Sequence, residues 1–176
     1  MKPFIRYTTV LTLGLIAGYL IRDWQARNPG SAKDPRCIRV LDGDTIEVAW
    51  DGETNKVRLI GIDAPETRRG PKLTTYANKL DMPEDTLRRC GREATGFIEG
   101  IVLGEQITLV FPGAEHDAFG RWLAYAEHRG QDLGAALIER GYAWARPEPH
   151  PRGKEYEALT EEAKAEKRGL WRLVGR

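Results

Sequence analysis

Two Asp-Gly pairs, Asp42-Gly43 and Asp51-Gly52, separate three short runs rich in apolar and β-branched residues. Asp bonds back to its own backbone and Gly accepts positive φ, so each pair specifies a tight turn. Residues 37–41, 45–50 and 56–62 are therefore expected to form three consecutive antiparallel strands, a meander. Further along, Ala94, Phe97, Ile98, Ile101 and Val102 recur at helical spacing, and Gly104 ends the run. Residues 106–111 and 122–128 read as strands. Leu133, Ala136, Leu137 and Ile138 mark a second helix, and Tyr156, Leu159 and Ala163 a third. Five strands with a helix between the third and fourth predict an α+β fold: a five-stranded barrel of OB type with three helices. Residues 63–89, with Pro65, Gly70, Pro71 and Pro83, read as a long irregular loop. Pro147, Pro149 and Pro151 make 146–151 an extended crossing segment.

The N-terminus has a different character. Lys2 and Arg6 precede an apolar run over residues 8–21, closed by Arg22 and Asp23. The run is shorter than the roughly 20 residues a spanning helix needs and resembles the apolar part of a signal peptide. No small-x-small cleavage site follows, so residues 1–22 are read as a membrane anchor in preference to a signal peptide. A buried helix of the fold is the structural alternative. The basic start favours export of the main domain, which would then be membrane-anchored or secreted on the extracytoplasmic side. Arg22, Arg27, Lys33 and Arg36 weigh against that orientation. Residues 23–36, centred on Asn28-Pro29-Gly30-Ser31, form a linker, and 37–176 the folded domain. Cys37 and Cys90 match no zinc spacing; two free buried thiols and one disulfide both remain open. A net charge of +1 argues against a protein that coats nucleic acid through a broad basic surface, and is compatible with a small cleft that holds a phosphate.

The chemistry-bearing residues cluster at the strand ends. Asp42-Gly43-Asp44-Thr45 and Arg58 are followed by Asp63-Ala64-Pro65-Glu66-Thr67, and Arg121 opens a later strand. Hard cations take carboxylate oxygens, and phosphates take the planar fork of a guanidinium. Each motif alone also has a plain structural reading: a turn, a strand terminus, an arginine that snorkels or pairs.

Taken together, these motifs resemble the thermonucleases, the staphylococcal-nuclease-like calcium-dependent nucleases. Gly91-Arg92-Glu93-Ala94, Gly120-Arg121-Trp122-Leu123-Ala124-Tyr125 and the closing segment 161–171 carry the resemblance further, over roughly 37–173. The resemblance implies an OB-type barrel that hydrolyses DNA and RNA phosphodiesters and leaves 3′-phosphate ends. It implies Ca²⁺ held by Asp44, Asp63 and the backbone carbonyl of Ala64. Arg58 and Arg121 would grip the phosphate, and Glu66 would act as general base or orient water. Asp42 and Thr45 would act from behind the ligands. Residues 72–90 look like an insertion, read as a solvated mobile loop, in which Lys72 is a candidate substrate contact. Phe119 stands where the family commonly has Tyr. The family's tyrosine-bearing segment is replaced by 146–151, which leaves Trp144 and His150 as candidates to stack on a base, with the core as the alternative for Trp144. A monomer is expected. The competing function is a non-catalytic OB-type module that binds nucleic acid or protein, tethered to a membrane. Degenerate members lose the Asp and Arg positions, and their retention here favours the enzyme.

Overall fold

The computed structural model describes residues 35–113 and 116–175. The apolar segment 1–22 and most of the linker 23–36 lie outside the described residues. Among the described residues, no helix is long and apolar enough to cross a membrane.

The meander forms as β1 (Arg36–Asp42), β2 (Thr45–Trp50) and β3 (Glu53–Leu59). At the second turn Asp51 and Gly52 both take positive φ, 53° and 83°, the type I′ pattern whose twist suits a two-residue hairpin. The third strand begins and ends three residues earlier than the expected 56–62. Gly61 takes φ 77° and breaks it, and Ile62–Asp63 leaves as β4 to pair with β8 (Trp144–Ala145). A β-carbon at Gly61 would come within 2.2 Å of the His150 ring, so both the backbone angle and the space demand glycine here.

Strands β5 (Thr108–Val110) and β6 (Trp122–His128) complete the main sheet in the order β1-β2-β3-β6-β5, with β7 (Gln131–Asp132) paired to β6. The β3–β6 pairing is parallel. Backbone bonds from Cys37 to Glu105 (2.9 Å), from Gly104 to Cys37 (2.8 Å) and from Ile107 to Pro35 (2.8 Å) lace the segment before β5 to the start of β1. The sheet thus curls toward closure in the manner of an OB barrel.

The described residues form four α-helices where three were expected. The stretch 63–89, expected as a loop, holds α1 (Pro71–Lys79) and the first turns of α2 (Glu84–Val102). Two of the prolines that suggested a loop, Pro71 and Pro83, stand at helix starts, where a missing N–H and a fixed φ cost nothing. Pro71 opens α1. Pro83 immediately precedes α2, whose first turn carries Glu84 and Asp85 at the positive end of the helix dipole. Leu73, Ala77, Met82 and Leu87 form a small core of their own, closed by Tyr76, Leu80 and Leu173. The segment 72–90 is therefore an ordered helical hairpin and not a solvated loop. Helices α3 (Leu133–Glu139) and α4 (Gly153–Ala165) follow, then a 3₁₀ turn over Gly169–Arg172. Asp132 caps α3 by accepting from the N–H of Gly134 (2.8 Å) and Ala135 (3.2 Å).

In the main core, Ile46, Val48, Val57 and Leu59 of the sheet pack with Ala94, Ile98 and Val102 of α2 and Leu133 and Leu137 of α3. Cys37 and Cys90 are both buried and free, so the disulfide alternative is not taken up. Burial pushes the Cys37 thiol up to about 11.

Candidate active site

Strand register assembles the site. Thr45 of β2 lies opposite Arg58 of β3, and Arg58 lies beside Leu123 of the parallel β6. Arg121, just before β6, therefore reaches the same end of the sheet as the Gly43–Asp44 turn. The β4–β8 pairing sets Asp63 opposite Trp144.

Asp44, Asp63 and Arg58 are 5%, 2% and 6% exposed. Charges so deeply buried are tolerated only when paired and hydrogen-bonded. Arg58 Nη2 lies 3.1 Å from Asp44 Oδ2 and 3.3 Å from Asp63 Oδ1. The same guanidinium donates to the carbonyls of Leu59 (2.6 Å) and Ile62 (2.7 Å), which anchors it to the chain on either side of the β3 break. Asp44 also accepts from the Ala64 N–H at 3.0 Å and the Thr45 hydroxyl at 3.0 Å. Burial pushes the Asp44 carboxyl up to about 7, although Arg58 beside it pulls the other way. Asp42 accepts from the Asp44 N–H at 3.1 Å and so shapes the turn that carries Asp44.

Lys72 and Tyr76, one turn apart on α1, reach the same carboxylates. Lys72 Nζ lies 2.9 Å from Asp63 Oδ1 and 2.6 Å from Glu66 Oε1. The Tyr76 hydroxyl donates to Asp63 Oδ2. Burial opposes the Lys72 charge, but Glu66 and Asp63 outweigh it and hold its pKa above the ordinary value. Burial and the Asp63 carboxylate push Tyr76 up to about 12.

Arg121 is gripped by Asp117: Nε and Nη2 each lie 2.8 Å from Asp117 Oδ2. Asp117 Oδ1 accepts from the Phe119 and Arg121 N–H groups, at 2.9 and 3.0 Å. One carboxylate thus shapes the turn and aims the guanidinium. Arg121 Nη1 lies 3.5 Å from Thr45 Oγ1, so Thr45 links Arg121 to Asp44. Phe119 is 85% exposed, with its ring 5.6 Å from the Arg121 guanidinium.

A cleft of about 530 Å³ is lined by Arg58, Arg121, Arg146, Asp117, Phe119 and His150, among others. Arg58 lines this cleft and pairs with Asp44 and Asp63, which, like Glu66, are not among its lining residues. Trp144 does not line this cleft. Its ring stands edge-to-face with Tyr76 (5.0 Å) and with Trp171 (6.4 Å), beside a separate cavity of about 250 Å³. Trp144 is half-buried and belongs to neither hydrophobic core; it stands in the wall of that second cavity, away from the cleft. Tyr76, Asp117 and Arg146 join the site without having been singled out in the sequence. Arg146 donates to Glu148 at 2.9 Å.

The donor set fits a hard divalent cation. Asp44 and Asp63 are oxygen donors shielded from water, the Ala64 carbonyl belongs to the next peptide, and an ammonium already stands against Asp63 and Glu66. Among the described residues, no three His, Cys, Asp or Glu side chains form a metal-holding group. A cation here would draw on two carboxylates, backbone oxygen and water.

Residues 56–173, well over half of the chain, match the family model described as staphylococcal nuclease homologue. The chain belongs to this family. It is similar to an uncharacterized endonuclease of Escherichia coli O157:H7, 33% identical over 138 residues that cover 77% of this chain and 75% of that protein. Similarity to the thermonuclease of Staphylococcus intermedius is 30% identity over 128 residues, 73% of this chain and 67% of that one. For the thermonuclease of Staphylococcus hyicus it is 30% over 138 residues, 77% and 74% respectively. Asp42 and Asp44 precede the residues matched by the staphylococcal nuclease homologue model; their place in the site rests on the contacts above.

Gly91 of α2 supports the Glu66 segment in this family member. A β-carbon there would lie 2.5 Å from the Pro65 carbonyl oxygen and 3.0 Å from that of Glu66. Gly91→Ala is expected to destabilise the fold by about 1–3 kcal/mol, the usual cost of overpacking, and to shift Glu66. Denaturant unfolding measures the first effect. A wild-type midpoint would show that the segment yields freely.

Proposed function

We propose that this nuclease hydrolase cuts phosphodiester bonds of DNA and RNA with the help of Ca²⁺, leaving 3′-phosphate and 5′-hydroxyl ends. Asp44, Asp63 and the Ala64 carbonyl would hold the ion. When bound, it supplies positive charge to a non-bridging phosphate oxygen. Arg121, aimed by Asp117 and half open to the cleft, donates to the phosphate as negative charge builds in the transition state. Arg58, fixed by two carbonyls, presents its cleft-facing side to the same group. Glu66 orients the attacking water and takes its proton. The P–O5′ bond breaks, and the departing 5′ oxygen takes its proton from solvent water. Phe119 offers an exposed face on which an unpaired base can stack.

The observation that carries this reading is the Arg121–Thr45–Asp44–Arg58–Asp63 chain of contacts, which ties two guanidinium groups and two carboxylates into one constellation. The names of the relatives, thermonuclease and endonuclease, support the same reaction class. The basic and apolar start of the chain supports export, with residues 1–22 as anchor or signal and the domain acting outside the cytoplasm.

The test incubates the full chain with end-labelled DNA and RNA oligonucleotides, in Ca²⁺ or in a calcium chelator. Cleavage is expected only with Ca²⁺, with 3′ ends that a polymerase extends only after phosphatase treatment. Equal cleavage under chelation, or 5′-phosphate ends, contradicts the proposal. Binding without cleavage points to the non-catalytic module.

A further inference from the structure

Lys72 stands at the first turn of α1, and its ammonium lies between Asp63 Oδ1 (2.9 Å) and Glu66 Oε1 (2.6 Å). Arg58 Nη2 approaches the same Asp63 oxygen at 3.3 Å, and the Tyr76 hydroxyl takes the other. Both oxygens of a proposed cation ligand are therefore already engaged by hydrogen-bond donors. The two cations around Asp63 differ in how firmly they are held. The Arg58 side chain is 7% exposed and locked to two backbone carbonyls. The Lys72 side chain is 45% exposed on a four-carbon stem. Helix α1 itself is fixed by Leu73 and Ala77, which are buried in its own small core.

A divalent ion bound to Asp63 would sit within a few ångströms of the ammonium, where like charges repel strongly. Arg58 has nowhere to go; Lys72 can swing into solvent while α1 stays in place. We propose that Lys72, which also pairs with Glu66, is a built-in rival of the divalent cation for the Asp63 carboxylate, and so sets the cation concentration at which the site loads. The inference rests on the calcium reading above, and it adds a residue of this chain's own helical hairpin to the control of that site. Lys72 acts through the carboxylates; it is a positioning residue for the ion rather than a reacting group.

Calorimetric titration of the full chain with Ca²⁺ tests this, with wild type, Lys72→Met and Lys72→Arg compared. Loss of the competing charge is expected to tighten Ca²⁺ binding by about tenfold or more in Lys72→Met. Lys72→Arg, which keeps the charge, should stay near wild type. A second readout needs no variant. In wild type, acylation of Lys72 by an amine-reactive ester, followed by mass spectrometry, should speed up when Ca²⁺ is added because the ammonium is released. Equal Ca²⁺ affinity in wild type and Lys72→Met, or a Lys72 reactivity indifferent to Ca²⁺, overturns the rivalry and leaves the calcium reading standing. Absence of Ca²⁺ binding in all three proteins overturns the calcium reading, and the rivalry with it.

Discussion

Replacing Arg121 with lysine is expected to slow cleavage by about 10²–10³-fold, the loss typical of one well-placed donor to a transition-state oxyanion, while the thermal midpoint stays close to wild type. Lysine keeps the charge but loses the planar fork that meets two oxygens at once. It also loses the paired grip of Asp117, which holds Nε and Nη2 at 2.8 Å. The Arg121 side chain is 28% exposed and that of Asp117 17%. Lysine keeps a positive charge beside Asp117, so the ion pair survives in part and the folding effect stays small, which separates the catalytic effect from the structural one. Single-turnover cleavage and calorimetric unfolding of the same preparation measure the two quantities. Wild-type rates in Arg121→Lys would remove Arg121 from the proposed mechanism; a collapsed midpoint would make it a structural residue.

The largest loss of stability is expected from Arg58→Met. That change leaves Asp44 and Asp63 buried without their shared guanidinium and strips a donor from the carbonyls of Leu59 and Ile62. Removing one member of a buried ion cluster typically costs about 3–5 kcal/mol, because the orphaned charge remains. Ca²⁺ should restore part of the loss, since an ion that binds only the folded state stabilises it by RT ln(1 + c/Kd), where c is the free Ca²⁺ concentration. Urea unfolding with and without Ca²⁺ reads both effects. An unchanged unfolding free energy would mean that Arg58 does not compensate the carboxylates. Arg58 and Lys72 thus differ in kind: one is part of the fold, the other an exposed and replaceable counter-charge.

What the sequence could and could not reveal follows the range of the interactions. The meander was readable because Asp-Gly turns are local, with all their chemistry in adjacent residues. The break in β3 also carried a local mark, since Gly61 inside a strand pattern signals a bend. Helix α1 was hidden because Pro71 serves as a start rather than a stop, and because its apolar face is covered by Leu173, a hundred residues downstream of Leu73. Local pattern cannot announce a partner so remote. The same distance hid Tyr76: only α1, seated on that core, aims its hydroxyl at Asp63. Asp117 carried a local mark, four residues before Arg121 with Gly120 between, a spacing that marks a turn. The carboxylates and arginines stood out for the opposite reason. They interrupt apolar strand ends, where a charge requires a partner, and the fold supplies one for each.

The proposed reaction needs one centre in which Asp44 and Asp63 hold a divalent cation against a phosphate gripped by Arg58 and Arg121. A crystal structure of the full chain grown in Ca²⁺ tests it most directly. The expected result is a single strong ion peak about 2.3–2.6 Å from an Asp44 oxygen, an Asp63 oxygen and the Ala64 carbonyl. An ion bound elsewhere, with these carboxylates still closed around Arg58 and Lys72 and the protein cleaving nucleic acid, would contradict it.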